Sequence, residues 1–345
     1  MSAENRAILL TPKGPGAIAV IRITGPNVAT FLESNFTAKP LDNRCVHGNL
    51  LDAQSQVLDD IVTVLHAEGQ SADLNLHGGP WLVESALSLL QSNGFELCET
   101  PPLDTFDGDD IFEREMLVHL PLAKTEESIR MLLAQPQAWR SFLASNPTSQ
   151  IKREIANDKT LDRLFHPAHV AIVGLPNVGK STLANQLFGQ QRSITADVPG
   201  TTRDWIGELA NLDGVPILLL DTPGLRDSED RIEQSAIALS RGVIERADLT
   251  IVVIDPTQPL DPQFDLAATF AHRLIVANKR DRMTDEVARS LIPIIDAATT
   301  ATTGDGIDEL RQLIRQKLGV RSLDPTKPRC WTQRQRDFLQ RPNAL

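Results

Sequence analysis

The sequence predicts an α/β fold in which a mostly parallel sheet flanked by helices follows a small α+β domain and a short helical segment. From residue 167 to about 320, apolar strands alternate with glycine-rich loops and helices, a pattern typical of a parallel sheet covered on both faces. Residues 1–103 mix short strands with helices, and residues 104–166 show the i, i+3, i+4 apolar spacing of helices. We expect residues 321–345 to form a basic C-terminal tail.

The composition is that of a globular protein with an apolar core, since 41% of the residues are hydrophobic and 23% are charged. The N-terminus lacks the apolar stretch of a secretory signal, and runs such as Leu249–Ile254 are far shorter than the roughly 20 residues of a membrane helix. Cys45, Cys98 and Cys330 are widely spaced and odd in number, which favours free thiols in a reducing compartment. We therefore expect a soluble, cytoplasmic protein without a membrane partner.

The charge is unevenly distributed along the chain. A net charge of −11 argues against a surface that binds nucleic acid everywhere. From Leu310 to the end, however, nine lysines and arginines stand against two aspartates. Two interpretations remain open for this basic stretch: the solvated face of a terminal helix plus a tail, or a contact with RNA or with the acidic rest of the chain.

The N-terminal domain is predicted from short apolar runs and one helix. Ala17–Ile23 has the composition of a buried strand and is stopped by Gly25-Pro26. Pro80, after the turn that begins at His77, suits the first turn of a helix that runs to about Asn93. Further strands are expected at Ile61–Leu65 and Leu74–Leu76.

The segment 104–166 begins as a linker, with Pro101-Pro102 followed by the acidic run Asp104–Glu113. Apolar residues then recur at helical spacing. Because proline lacks the N–H that a helix interior needs, we expect Pro136 and Pro147 to separate two or three short helices.

A phosphate-binding loop follows the apolar strand Val170–Val173. The stretch from Gly174 to Ser181 reads Gly-Leu-Pro-Asn-Val-Gly-Lys-Ser and leads into a helix, which is the context that a P-loop requires. Backbone N–H groups would wrap the phosphates, Lys180 would reach the β- and γ-phosphates, and the Ser181 hydroxyl would ligate Mg²⁺. A glycine-rich turn without a ligand is the alternative, and the motif alone does not separate ATPases from GTPases. The loop residues expected at the nucleotide are Gly174, Asn177, Val178, Gly179, Lys180, Ser181 and Thr182.

Two further motifs extend the predicted site, and the second of them predicts that the nucleotide is GTP or GDP. Asp221-Thr-Pro-Gly224 follows an apolar strand; Asp221 can hold Mg²⁺, usually through water, and the Gly224 N–H can sense the γ-phosphate. Asn278-Lys279-Arg-Asp281 also follows a strand. The Asp281 carboxylate can accept hydrogen bonds from guanine N1–H and the 2-amino group, donors that adenine lacks. Later in the chain, Thr300-Ala301-Thr302 fits a loop whose backbone N–H contacts the guanine oxygen.

The segment Pro199–Asp204 should be the first switch, in which a threonine hydroxyl joins Mg²⁺ only when the γ-phosphate is present. Either Thr201 or Thr202 can supply that hydroxyl, and Thr202 is favoured. Leu225 occupies the position directly after the Asp-x-x-Gly motif, where Ras-like GTPases carry a glutamine that orients the attacking water. Leucine cannot hydrogen-bond water, so another group must position it or hydrolysis is slow.

These motifs together resemble the TrmE–Era group of GTPases. The N-terminal stretch from Thr11 to Pro26 and the His77-Gly-Gly-Pro80 turn further resemble the tRNA-modification GTPase family MnmE (TrmE), so residues 1–103 are identified as a TrmE-N-like domain. The resemblance implies a homodimer whose N-terminal domain binds formyl-tetrahydrofolate. It also implies K⁺-dependent GTP hydrolysis by paired GTPase domains, a flavoprotein partner, and modification of the wobble uridine of certain tRNAs.

The resemblance assigns catalytic roles beyond Lys180 and Thr202. Asn177 matches the asparagine that ligates K⁺, and Glu233 matches the glutamate that orients water. Alternatively, Asn177 only stabilises the loop and Glu233 is an acid in the first turn of a helix.

The sequence also departs from the family pattern. The family's Cys-x-Gly-Lys motif is not found, and Arg114–Leu120 replaces its Arg-Ala-Phe-x-Asn-Gly-Lys stretch. We therefore expect formyl-tetrahydrofolate to bind weakly or not at all. Three functions remain open: a tRNA-modification GTPase, a GTP-dependent switch or assembly factor that lacks the modification chemistry, and a nucleotide-binding module with negligible turnover.

Overall fold

The computed structural model describes residues 5–66, 69–99, 101–106, 108–189, 192–193, 207–220, 247–320 and 322–340. It divides into two compact units, Met1–Leu122 and Ala123–Leu345. The segment 104–166 therefore contributes residues to both units. Within the described ranges, no helix has the length and apolar character needed to cross a bilayer.

The first unit is built on a six-stranded sheet in the order β3-β4-β5-β2-β1-β6. All neighbouring strands are antiparallel except β1 and β6, which are parallel. Buried residues alternate with more exposed ones along β2 and β5, as the strand period requires, and every buried residue in these two strands is apolar. The strands are β1 Arg6–Leu9, β2 Ile18–Thr24, β3 Cys45–Leu51, β4 Val57–His66, β5 Ser71–His77 and β6 Glu96–Cys98.

Helices α1 (Val28–Asn35) and α2 (Pro80–Ser92) supply the other half of this core, in which Phe31, Leu90 and Phe95 are buried. Pro80 occupies the first turn of α2, as predicted. Helix α3 (Ile111–His119) follows, and the Asp110 side chain caps it by accepting a hydrogen bond from the Glu113 N–H. Two short 3₁₀ turns, Leu103–Thr105 and Leu120–Leu122, flank α3.

The second unit contains a seven-stranded sheet in the order β13-β12-β11-β7-β10-β9-β8. Its strands are parallel from β13 to β10, whereas β9 is antiparallel to both β10 and β8. The predicted strands and P-loop helix are confirmed. The elements are β7 Ala168–Val173, β8 Arg192–Ser193, β9 Gly207–Leu212, β10 Val215–Leu220, β11 Leu249–Ile254, β12 Arg273–Ala277 and β13 Ala297–Ala298, with helices α7 Lys180–Phe188, α8 Asp261–Ala268, α9 Asp285–Leu291 and α10 Ile307–Lys317.

Three helices precede this sheet: α4 (Glu126–Ala144), α5 (Ser149–Ala156) and α6 (Thr160–Phe165). The prediction that Pro136 breaks the helix is wrong, because Pro136 lies buried inside α4. Proline removes one backbone hydrogen bond, but Leu132 and Trp139 on the same face of α4 are fully buried and offset that loss. Pro147 does separate α4 from α5.

The basic C-terminal stretch packs against these helices and ends in α11 (Gln333–Gln340). Trp139 Nε1 donates to the Arg329 carbonyl oxygen at 2.9 Å. The buried Arg329 guanidinium pairs with Asp158, and Arg336 pairs with Asp162. Of the interpretations left open for the basic stretch, the structure therefore confirms for Arg329 and Arg336 a contact with acidic residues of the same chain.

Candidate nucleotide-binding site

Three of the predicted motifs, all among the described residues, lie at the carboxyl edge of the sheet of the second unit. The P-loop follows β7, the Asn278–Asp281 motif follows β12, and the Thr300–Thr302 loop follows β13. Because β11 alone separates β7 from β12, these loops lie side by side where the parallel strands end. This edge is where ligands bind in open α/β sheets.

Glycine is required at two positions of the P-loop. A Cβ atom on Gly174 would lie 2.4 Å from the Val253 carbonyl oxygen, and one on Gly179 would lie 2.3 Å from Nδ2 of Asn278. Gly179 also has a φ of +96° and precedes α7 without any side-chain cap. The first N–H groups of α7 are therefore not satisfied by a capping side chain, which suits an anion such as a phosphate.

The Lys180 ammonium lies over the same loop. Its Nζ donates to the carbonyl oxygens of Gly174 at 3.1 Å and Leu175 at 3.0 Å. Burial lowers the pKa of Lys180 below its ordinary value. The positive charge thus lies beside the amides of the loop, next to the half-buried Ser181 and the exposed Thr182 at the start of α7.

Asn278 joins the three loops to one another. Its Nδ2 donates to the Val178 carbonyl oxygen at 3.0 Å, and its Oδ1 accepts from the Ala301 N–H at 3.0 Å and from Thr299 Oγ1 at 3.3 Å. The Asn278 side chain is buried and its amide is used in these contacts. Asn278 therefore fixes the P-loop relative to the loops that would hold the base.

Asp281 stands at the edge of an open depression of about 620 Å³. It lies in the 3₁₀ turn Arg280–Arg282, and about half of its side chain is exposed. The expected Thr300–Thr302 loop borders the same depression, although the Thr300 N–H donates to the Asp305 carbonyl oxygen and Thr302 is exposed. The lining residues are Arg280, Asp281, Thr300, Thr303, Gly304 and Asp305.

Asp255 is a buried acid behind this site that the motifs did not reveal. It follows β11, is fully buried, and accepts a hydrogen bond from Lys279 Nζ at 2.6 Å through Oδ2. Burial acts to raise its pKa, but the hydrogen bonds from Lys279 and Thr257 outweigh burial, so the pKa of Asp255 lies below its ordinary value. An aspartate placed directly after an apolar strand was the only signal in the sequence.

Asn177 differs from its neighbours in conformation. It adopts a left-handed φ of +64°, and its carbonyl oxygen accepts from Lys279 Nζ at 2.9 Å. Its exposed side chain makes no hydrogen bond with any other residue that the structure describes.

The remaining predicted site residues lie outside the described residues; they are Thr201, Thr202, Asp221, Gly224 and Glu233.

Comparisons with known proteins agree with this geometry. The family described as "50S ribosome-binding GTPase" matches residues 169–279, and the family "GTP-binding protein TrmE N-terminus" matches residues 7–100. A tRNA modification GTPase MnmE from Ligilactobacillus salivarius is 30% identical over 90% of this chain and 80% of that protein. The chain belongs to the MnmE family. It is accordingly a P-loop GTP hydrolase of that family, with an N-terminal TrmE-type domain.

A second curated relative is similar to the same extent. The MnmE of Geotalea uraniireducens is 30% identical over 89% of this chain and 80% of that protein. Among solved structures, an Aquifex aeolicus Era variant bound to GDP and AlF₄⁻ is 30% identical over 44% of this chain and 56% of that chain, with a TM-score of 0.34.

Proposed function

We propose that this MnmE-family chain binds GTP with Mg²⁺ and hydrolyses it to GDP and phosphate in a reaction stimulated by K⁺. The observation that carries the K⁺ part is Asn177. Its backbone is held in a left-handed conformation, and its side-chain amide is not used by any other described residue. An amide oxygen is a suitable ligand for a hard cation, so the side-chain oxygen of Asn177 can serve as a ligand of K⁺.

The chain's own groups account for the other requirements of phosphoryl transfer. The α7 N-terminus and Lys180 would bind the phosphates, and Ser181 would hold Mg²⁺ together with Thr202 and Asp221. A cation held by Asn177 would supply the positive charge that an arginine finger supplies in other GTPases. Asp281, beside its open depression, would select guanine by accepting from its two donors.

The tRNA part of the proposal is supported by the names of the relatives, which are tRNA modification GTPases. The homodimer, the cytoplasmic location and the flavoprotein partner are expectations from the sequence. We propose that the chain forms a homodimer in the cytoplasm and that it acts on tRNA with a flavoprotein partner.

The proposal does not include binding of formyl-tetrahydrofolate. The stretch Arg114–Leu120 lies largely in α3, where Met116 and Val118 are buried in packing. Calorimetry with 5-formyl-tetrahydrofolate tests this, and micromolar binding would contradict it.

GTP turnover in KCl and in NaCl at equal ionic strength tests the proposal. We expect KCl to stimulate turnover and Asn177→Ala to remove most of the stimulation while GTP still binds. Asn185→Ala, which changes an exposed asparagine one turn beyond Ser181 in α7, is the matched control and should behave as the parent protein does. Equal turnover in the two salts would refute the K⁺ requirement.

Glu233 is the proposed residue for orienting the attacking water, since Leu225 cannot do so. Glu233→Ala should lower kcat with little change in GTP affinity, which is the pattern of an interaction made mainly in the transition state. An unchanged kcat would exclude Glu233 from this role.

A second candidate function, a GTP-dependent switch, is favoured by the turn between β9 and β10. These strands connect the proposed first switch to the Asp221–Gly224 motif, and Thr125 Oγ1 at the start of α4 donates to the Gly214 carbonyl oxygen at 2.8 Å. Hydrogen exchange of α4 should then differ between the GDP complex and the complex with a non-hydrolysable GTP analogue. Identical exchange in both complexes would remove this candidate.

A further inference from the structure

Asp255 is a buried acid whose oxygens are all engaged. Oδ1 accepts from the Thr257 N–H at 2.9 Å and from Thr257 Oγ1 at 2.7 Å, and Oδ2 accepts from Gln258 Nε2 at 3.1 Å and Lys279 Nζ at 2.6 Å. The buried Gln263 side chain also bonds the Asp255 N–H and carbonyl oxygen. Asp255 is thus fixed in position as a charged group.

Lys279 extends from this acid to the P-loop. The same Nζ that pairs with Asp255 donates to the Asn177 carbonyl oxygen at 2.9 Å. Lys279 and Asn177 both adopt left-handed backbone conformations, with φ of +58° and +64°, which are uncommon for non-glycine residues and especially for lysine. One ammonium group therefore lies next to the residue that carries the proposed cation ligand.

An ammonium at this position opposes the binding of a second cation close by. Two like charges a few ångströms apart repel each other strongly inside a protein, unless a negative charge lies between or beside them. Asp255 supplies that negative charge and is fully buried, so solvent screens its effect on the partly exposed Lys279 less than it would for a surface pair.

We propose that Asp255 is a positioning residue that allows a monovalent cation to bind at Asn177, by neutralising the Lys279 ammonium that lies on the Asn177 carbonyl oxygen. The inference rests on the proposed K⁺ stimulation. It assigns to Asp255 a role distinct from that of the ligands: it sets how much K⁺ the site requires. It does not change the chemistry once the site is saturated.

Two quantities test the proposal, each measured against KCl concentration with choline chloride keeping the ionic strength constant. The first is GTP turnover at saturating GTP. The second is the rise in melting temperature of the complex with a non-hydrolysable GTP analogue, which reports binding of the cation without catalysis. We expect Asp255→Asn to raise the half-saturating KCl concentration at least threefold in both, with kcat at saturating KCl within about twofold of the parent value.

Two further variants separate charge from structure. Thr257→Val removes one hydrogen bond to Asp255 and keeps its charge, so the half-saturating KCl concentration should stay at the parent value. Lys279→Met removes the ammonium that Asp255 neutralises. The double variant with Asp255→Asn and Lys279→Met should therefore have a half-saturating KCl concentration closer to the parent value than Asp255→Asn alone. If Asp255→Asn alone does not fold, Lys279→Met alone carries the test: the concentration should be at or below that of the parent.

The outcomes distinguish the two proposals. A parent protein that shows neither K⁺-dependent turnover nor a K⁺-dependent melting temperature overturns the proposed function together with this inference. If the parent responds to K⁺, any of three results overturns the inference alone. The half-saturating KCl concentration is unchanged in Asp255→Asn, or Thr257→Val raises it as much as Asp255→Asn does. The third such result is a higher half-saturating KCl concentration in Lys279→Met than in the parent.

Discussion

Nδ2 of Asn278 lies so close to Gly179 that a Cβ atom on this glycine would approach it to 2.3 Å. The two residues belong to different loops, and Asn278 must keep this position to donate to the Val178 carbonyl oxygen. The P-loop and the base-binding motif are therefore packed directly against each other at a point where no side chain larger than hydrogen fits.

Gly179→Ala should weaken GTP binding at least tenfold, because it combines this clash with a left-handed φ that disfavours alanine by about 1 to 2 kcal/mol. Titration with a fluorescent GTP analogue measures the effect. Gly319→Ala is the matched control: Gly319 has a φ of +80° but open space around its Cβ position. The explanation would be wrong if both variants lost the same small amount of affinity.

Asp281→Asn should lower GTP affinity by about 4 kcal/mol or more and favour xanthosine triphosphate, because the new amide donor would face the 2-amino donor of guanine. Dissociation constants for GTP, ATP and xanthosine triphosphate in parent and variant measure this. Asp305→Asn removes the same charge from the same depression and should change affinity little. Equal affinity of the parent for ATP and GTP would contradict the role of Asp281.

Asp158→Ala should destabilise the second unit by about 3 kcal/mol, because removing one partner leaves the buried Arg329 guanidinium unpaired. Urea unfolding followed by the fluorescence of the buried Trp139 measures the change. Asp308→Ala removes the exposed partner of Arg311 and should leave the midpoint unchanged. Similar midpoints for both variants would show that the Arg329 pair adds little.

The pKa of His77 should depend on Asp59. A hydrogen bond from the imidazole to Asp59 and the charge of this carboxylate raise the pKa of His77 above its ordinary 6.5. Protonated His77 then stabilises the first unit: the contribution is fully present below about pH 6.5 and is lost as the pH rises through the higher folded-state pKa. Titration by NMR should show a lower midpoint for His77 in Asp59→Asn, and an unchanged midpoint would refute the coupling.

The elements that the sequence predicted are those with strong patterns. Ala17–Ile23 and Val170–Val173 are apolar runs followed by glycine or a turn, and both are strands. Strand β3 (Cys45–Leu51) was missed because its alternation is weak: only Leu50 is fully buried. The residues of helix α11 were assigned to a tail because their sequence is mostly polar. The helix packs against α5, which is far away in the sequence, and local patterns do not reveal such a contact.

The candidate site shows the same division. The glycines and Lys180 were predictable because their chemistry is local: a loop, a helix N-terminus and a charge. Asp255 was not, since its partner Lys279 lies 24 residues away and the contact depends on two neighbouring parallel strands. The use of the Asn278 amide to join three loops also depends on the fold and not on the spacing of its motif.

The two connections that flank the GTPase domain meet on one set of helices. Arg163 in α6, just before the domain, donates to the carbonyl oxygen of Leu318 at its end, and Trp139 holds the carbonyl oxygen of Arg329 beyond it. The residues just before and just after the domain are therefore joined to the same set of helices, so the two ends of the domain lie close together. Helix α5 before the domain and helix α11 after it pack against each other, although the whole domain separates them in the sequence.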